Sequence, residues 1–401
     1  MKHRWIIPVS LLLLVLTSCG SSMPAPEGTV PEAVPAAAEI TLSPTDPPTE
    51  PPTAAPTRTE KMLSGMSLHE KVCQLFIVTP ECLTGYDVLT YTDEWFTECC
   101  GSYPVGGFIF FDKNIEDGEQ TAAMVKNAQE IMQKQGVGAF MSVDEEGGDV
   151  TRLQYPLGLR EIDQMYVYGE SSDTQAMRED AEYIGSYLSD YGFSLDFAPV
   201  ADVEINPYNE LQTRIFSNDP QVVAELSSAY ISGLHSKGVC TALKHFPGLG
   251  AGDGNTHYDS VVIDRTLDEL RGTEFPAFLG GIHAGTDFVM VGHQITTGSG
   301  DGLPGDLSEV VVTEWLRKEL GYGGLIITDS HSMGAIINHY SSADAALMAI
   351  EAGVDMVLMP YDLTDAVTGV ESAVLSGRID ESRIDRSVQK ILDTKESHGI
   401  L

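Results

Sequence analysis

Basic side chains are scarce in this sequence. Its 401 residues hold 23 Lys and Arg against 59 Asp and Glu, a formal net charge of −36. That balance repels phosphate backbones and anionic membrane surfaces, which excludes a nucleic-acid-binding protein. Cysteine is scarce too. Six residues in a chain this long exclude a disulfide scaffold, and no Cys/His spacing reads as a zinc site. No apolar run reaches the roughly 20 residues that cross a bilayer. What remains is 42% hydrophobic residues and a mean hydropathy of −0.04. This suits a soluble globular body of one large domain or two ordinary ones.

The apolar run that is present stands at the start. Lys2, His3 and Arg4 precede a nearly continuous apolar stretch from Trp5 to Leu16. Its length fits the core of an export signal, residues 1–18. The stretch runs into Leu16-Thr17-Ser18-Cys19. This order resembles the lipobox of bacterial lipoproteins, which makes Cys19 the expected lipidated residue and the anchor on the outer face of the cytoplasmic membrane or cell envelope. Ten of the 21 prolines fall within residues 20–57, and no Lys or Arg lies between Arg4 and Arg58. Residues 19–60 are therefore expected to be a Pro/Thr-rich extended tether with a reach of about 100 Å.

From residue 61 to 401 the pattern changes. Short apolar runs at 74–78, 107–111, 140–143, 195–200, 241–243, 288–291, 325–327 and 356–359 alternate with amphipathic stretches. Continuous apolar runs suit parallel strands covered on both faces, and eight of them predict an α/β fold, a single (β/α)8 TIM barrel. Ser67-x-x-Glu70 and Thr266-x-x-Glu269 are capping boxes that mark helix starts. Polar residues follow six of the eight runs: Asp112, Asp144, Asp202, Lys244-His245, His293 and Asp329. In a barrel the strand C-termini share one mouth, so these residues are candidates for a common site.

Four segments stand out in order: Asp144-Glu145-Glu146-Gly147-Gly148 running on to Arg152-Leu153, Phe197-Ala198-Pro199-Val200-Ala201-Asp202, Lys244-His245-Phe246-Pro247-Gly248, and Ile327-Thr328-Asp329-Ser330-His331. Together they resemble the barrel domain of glycoside hydrolase family 3, and more closely its single-domain bacterial β-N-acetylglucosaminidases. The resemblance spans essentially all of residues 61–401. It implies a retaining exo-glycosidase that releases terminal β-linked N-acetylglucosamine from cell-wall fragments or chitin-type oligomers. Asp329 is then the nucleophile, and His257 on the loop after the fifth strand is the general acid/base. Asp144, Arg152, Arg214, Lys244 and His245 match positions that hold the terminal sugar. An imidazole titrates near neutrality and suits both proton transfers. The implied chemistry needs no metal or other cofactor, and the implied partner is carbohydrate.

The sequence departs from the family pattern at the residue that orients the imidazole, where Asn255 replaces Asp. In an unrelated catalytic triad the same exchange costs about 10⁴ in turnover. Asp253 or Asp259 is the alternative partner for the ring. Two other outcomes stay open beside this one: a sugar-binding lipoprotein with impaired turnover, and a β-glucosidase-type exo-glycosidase. Phosphate in place of water as the second acceptor is also open. The five cysteines after Cys19 are an odd number, and a bridge from Cys82 to Cys99 or Cys100 is permitted in an exported protein. Asp144–Arg152 is the alternative structural ion pair.

Overall fold

A computed structural model describes residues 55–401. The expected export signal, Cys19 and most of the tether lie outside the described residues. The first described helix, Arg58–Gly65, begins inside the stretch expected to be tether, capped by Thr57 through a reciprocal capping box with Glu60.

Ten strands follow in chain order: β1 (Phe76–Val78), β2 (Gly107–Ile109), β3 (Phe140–Val143), β4 (Leu195–Asp196), β5 (Cys240–Phe246), β6 (Val262–Ile263), β7 (Phe288–Val291), β8 (Ile295–Thr296), β9 (Leu325–Ser330) and β10 (Met356–Leu358). Eight of them close into a barrel in the order β1-β10-β9-β7-β5-β4-β3-β2, and every ladder is parallel. Closure is made by Phe76 and Ile77 of β1 pairing with Val357 and Leu358 of β10. All eight sequence-predicted strands are barrel strands. The remaining two, β6 and β8, form a separate parallel pair. They link the loop after β5 to the segment after β7, which helps fix the long loop that carries His257.

The strands form where the sequence is continuously apolar, because both faces are covered and none needs a polar side. The helices between them start at side-chain caps. Asp117, Asp219, Ser341, Asp362 and Asp380 each accept a hydrogen bond from a backbone N–H in the following helix, worth about 1 kcal/mol apiece. Both capping boxes read from the sequence are present, at Ser67/Glu70 and Thr266/Glu269. The last helix, Glu381–Ser397, lies against the first. It sends Lys395 inward, fully buried, where Nζ donates to Gln74 Oε1 at 2.7 Å and stands 5.2 Å from the centre of the Phe140 ring. Gln74 precedes β1 and Phe140 opens β3, so Lys395 stoppers the N-terminal end of the barrel. Burial holds its ammonium well below the ordinary lysine range. No helix of the described residues is long and apolar enough to cross a membrane.

The five described cysteines are free thiols. The bridge from Cys82 to Cys99 or Cys100 is absent. Cys82 turns its sulfur toward the Pro360 carbonyl at 3.8 Å, while Cys99 and Cys100 are buried on the helix Glu94–Ser102.

Candidate active site

The C-terminal ends of the strands surround a cavity of about 430 Å³. Asp144, Arg152, Arg214, Lys244, His245, His257 and Asp329 all line it. The fold thus brings together seven sequence-predicted residues that span 186 positions. Asp253 and Asn255 do not line it. Asp112 turns into a short 3-10 segment instead, and Asp202 and His293 lie just behind the wall.

Asp329 is the penultimate residue of β9, with one oxygen accepting the Ser330 N–H at 2.7 Å. Burial alone raises a carboxyl, but the neighbouring His293 and His245 outweigh it and hold Asp329 below the ordinary range. His293 is fully buried between two acceptors. Its Nδ1 donates to Asp306 Oδ1 at 3.0 Å and its Nε2 to the Ser330 carbonyl at 2.8 Å. Both ring nitrogens therefore carry protons, and the ring is an imidazolium. Burial works against that charge, yet the Asp306 carboxylate overcomes it and lifts His293 to about 9. Asp306 also accepts from His331 Nε2 at 2.8 Å. The cation behind Asp329 is thus built in and neutralised by one shared carboxylate.

The opposite wall is an ion-pair network. Lys244 Nζ donates to Asp144 Oδ1 at 2.8 Å and to Glu146 Oε1 at 2.6 Å. Arg214 reaches the same Glu146 through two hydrogen bonds, at 2.9 and 2.7 Å. Burial raises Glu146, but Arg214 and Lys244 more than reverse this and leave it ionised. Glu146 was not singled out in the sequence, and it is the hub. The Asp144–Arg152 pair is corrected: Asp144 belongs to Lys244. Among the described residues the Arg152 side chain makes no hydrogen bond, and its buried Nε is unpartnered. Its guanidinium lies 5.5 Å from the centre of the Phe111 ring. Arg152 is therefore the uncommitted cation of the mouth. It is placed there by Gly147 and Gly148, whose φ values of +87° and +58° turn the chain back. Buried Glu145 then accepts the backbone N–H groups of Arg152 and Leu153.

His245 Nδ1 and its backbone N–H both donate to Asp202 Oδ2, at 2.8 and 3.0 Å. This fixes the ring and leaves Nε2 for the cavity. His257 stands on the loop between β5 and β6. Thr256 donates to Glu210 through its N–H and hydroxyl, and the carbonyls of Thr256 and His257 accept the N–H groups of Ala335 and Gly334. Gly334 is required for this docking, because a Cβ there meets the Tyr258 carbonyl oxygen at 2.2 Å. Asn255 does not orient the imidazole. Its Oδ1 accepts the backbone N–H of His257 at 2.9 Å, which closes a local turn. Asp253 is exposed, and Asp259 is taken by His339 at 2.8 Å. Among the described residues the His257 ring has no hydrogen-bond partner. The cavity walls themselves hold no cluster of metal-ligating atoms among the described residues.

A buried carboxylate on a strand end, a set of charged side chains and an imidazole without a hydrogen-bond partner, gathered at the mouth of a closed parallel barrel, match the barrel-glycosidase class. Comparison with known proteins narrows this. The description "Glycosyl hydrolase family 3 N terminal domain" matches residues 67–394, and the chain belongs to that family. It is 29% identical over 326 residues to the beta-hexosaminidase A of Pseudoalteromonas piscicida, covering 76% of this chain and 52% of that protein. It is 30% identical to a beta-hexosaminidase of Nitrosomonas eutropha, covering 74% of this chain and 87% of that one. The solved family 3 beta-N-acetylglucosaminidase of Paenibacillus sp. superposes with a TM-score of 0.79 at 31% identity, over 84% of this chain and 63% of the other. The chain thus spans about half to two thirds of some relatives and most of others.

Proposed function

We propose that this chain is a retaining exo-glycosidase that releases terminal β-linked N-acetylglucosamine from cell-wall fragments or chitin-type oligosaccharides. One observation carries the reading. Asp329 is held as a carboxylate on a barrel strand, inside a cavity whose other walls present charged hydrogen-bonding groups to a sugar-sized ligand. The relatives' names support the acetylated sugar as the preferred glycone.

In this mechanism Asp329 attacks the anomeric carbon and forms a glycosyl–enzyme ester. His257 donates a proton to the departing glycosidic oxygen. The neutral imidazole then takes a proton from water, the resulting hydroxide attacks the same carbon, and Asp329 is released as carboxylate. Arg152, Arg214, Lys244, His245 and Asp144 hold the hydroxyls of the terminal sugar by mixed donation and acceptance. A second cavity of about 410 Å³ shares Ser332 and Met359 with the first and is flanked by exposed Tyr361. It gives the leaving sugar a place to extend.

The test is hydrolysis of nitrophenyl β-N-acetylglucosaminide beside nitrophenyl β-glucoside, with and without phosphate, using the protein and its Asp329→Ala variant. Turnover of the acetylated substrate that vanishes in the variant is the expected result. A second reading, sugar binding without efficient turnover, is favoured by the His257 ring having no carboxylate partner. It predicts calorimetric sugar binding with no release of nitrophenol, and that outcome would sink the enzyme reading. We further propose export and lipid attachment at Cys19, with residues 19–60 as a spacer and residues 61–401 as the catalytic body. The support is the order of the N-terminal residues. Metabolic palmitate labelling that survives in Cys19→Ser rejects it.

A further inference from the structure

The end of the barrel opposite the mouth holds an unassigned group of side chains. We propose that His235, Cys240, Asp287 and His398 form a tetrahedral site for one divalent transition-metal ion, with zinc the preferred occupant.

The four residues come from separate elements. His235 ends the helix Pro220–His235, Cys240 opens β5, Asp287 stands just before β7, and His398 caps the last helix. Ligating atoms of Cys240, Asp287 and His398 all lie within 4.8 Å of one another. Asp287 bridges the two imidazoles, with His235 Nε2 2.8 Å from Oδ2 and His398 Nε2 2.8 Å from Oδ1. Metal bonds of about 2.0–2.3 Å at tetrahedral angles put neighbouring ligand atoms about 3.3–3.8 Å apart. The two Asp287–imidazole contacts therefore have to open by about an ångström to admit an ion, while His235, whose ring centre lies 6.3 Å from that of His398, has to swing inward to complete the tetrahedron on Cys240, Asp287 and His398.

The surroundings suit ligation. The Thr241 N–H donates to Asp287 Oδ2 at 3.0 Å and steadies the carboxylate. His398 Nδ1 faces the Gly238 carbonyl at 3.4 Å, which presents Nε2 inward in the way metal-bound imidazoles are commonly held. Cys240 is wholly buried, while His235, Asp287 and His398 keep side-chain exposures of 28, 13 and 16%, so an entry path exists. A thiolate with imidazole and carboxylate selects zinc over the hard alkaline-earth ions. Binding releases the Cys240 proton to solvent. Sequence spacing does not reveal the group, because its members lie up to 163 positions apart. Cys240 and Lys244 are four residues apart on β5, so the ion would sit about 13 Å from the sugar-binding lysine along the strand. It would fasten the end of the chain to the barrel and take no part in the reaction.

The experiment uses the untagged full chain, stripped by chelator and then titrated with Zn²⁺ and Co²⁺. One equivalent of each is expected, with Co²⁺ giving a thiolate charge-transfer band that Cys240→Ser removes. His398→Ala should weaken zinc affinity at least tenfold and abolish the rise in melting temperature that zinc gives the parent. His398 lies beyond the last helix, so this variant keeps the test decisive even where Cys240→Ser fails to fold. Absence of retained zinc and of a cobalt spectrum overturns the proposal. So does a cobalt spectrum unchanged in His398→Ala.

Discussion

Glu146 is 2% exposed, and two cations depend on it. Removing one partner of a buried ion pair costs about 3–5 kcal/mol, because the survivors keep the penalty of lost water. Glu146→Leu should therefore lower stability by that order in urea unfolding, and Lys244→Met in the same background should recover part of the loss. The pair His293–Asp306 gives a second prediction, in pH. His293 rises from 6.5 to about 9, so its contribution is complete below pH 6.5 and is lost as pH climbs through about 9. Asp306 falls from 3.8 to about 2, so its contribution is complete above pH 3.8 and is lost as pH drops through about 2. Stability from this pair should peak between about pH 4 and 6.5. Melting curves across pH should show a flatter profile for Asp306→Asn.

The element that carries the proposed general acid/base is the loop between β5 and β6. It sets the backbone of His257 through Asn255, the Thr256–Glu210 contact and the carbonyls that accept from Gly334 and Ala335, while neither Asn255 nor Asp253 supports the ring. Gly334→Ala drives a methyl against the Tyr258 and His257 carbonyls and displaces the segment that carries His257. A misplacement near 1 Å costs about 10²-fold in rate. The expected outcome is a fall in kcat of that order with KM little changed, read from initial rates on the nitrophenyl substrate. The same scale shows what the sequence discloses. The barrel strands were legible because buried parallel strands are continuously apolar. Their ends were not. β5 runs on through buried Lys244 and His245 to Phe246, and β9 runs on to Ser330, because strand geometry persists where charges are paired in the interior. The β6–β8 pair has two residues a side, too short for any periodic signal, and Val262 is 60% exposed. Seven cavity residues were legible through motifs. Glu146 was not, since a Glu-Glu-Gly-Gly turn reads as solvated until Arg214 and Lys244 arrive from 68 and 98 positions away.

At the scale of the molecule the charge of −36 leaves few cations to spare, and the structure spends several in one place: Lys244, Arg214 and Arg152 all face the cavity. Four carboxylates, Asp144, Glu146, Glu210 and Asp329, line the same cavity, so its charges nearly balance, which suits the proposed uncharged sugar. The contact between the first and last helices has an engineering consequence. Thr59 donates to Asp393 at 2.6 Å, Arg58 lies 3.7 Å from Glu396, and Arg58 and Leu401 border one shallow cavity. The two ends of the folded body therefore nearly meet, and a short glycine linker can splice them. A circular permutant reopened at the exposed turn between Ser172 and Asp173 should fold with unchanged circular dichroism and should retain hydrolysis of the nitrophenyl substrate. The same geometry makes the barrel a cassette that inserts into a surface loop of an unrelated host with its mouth unobstructed.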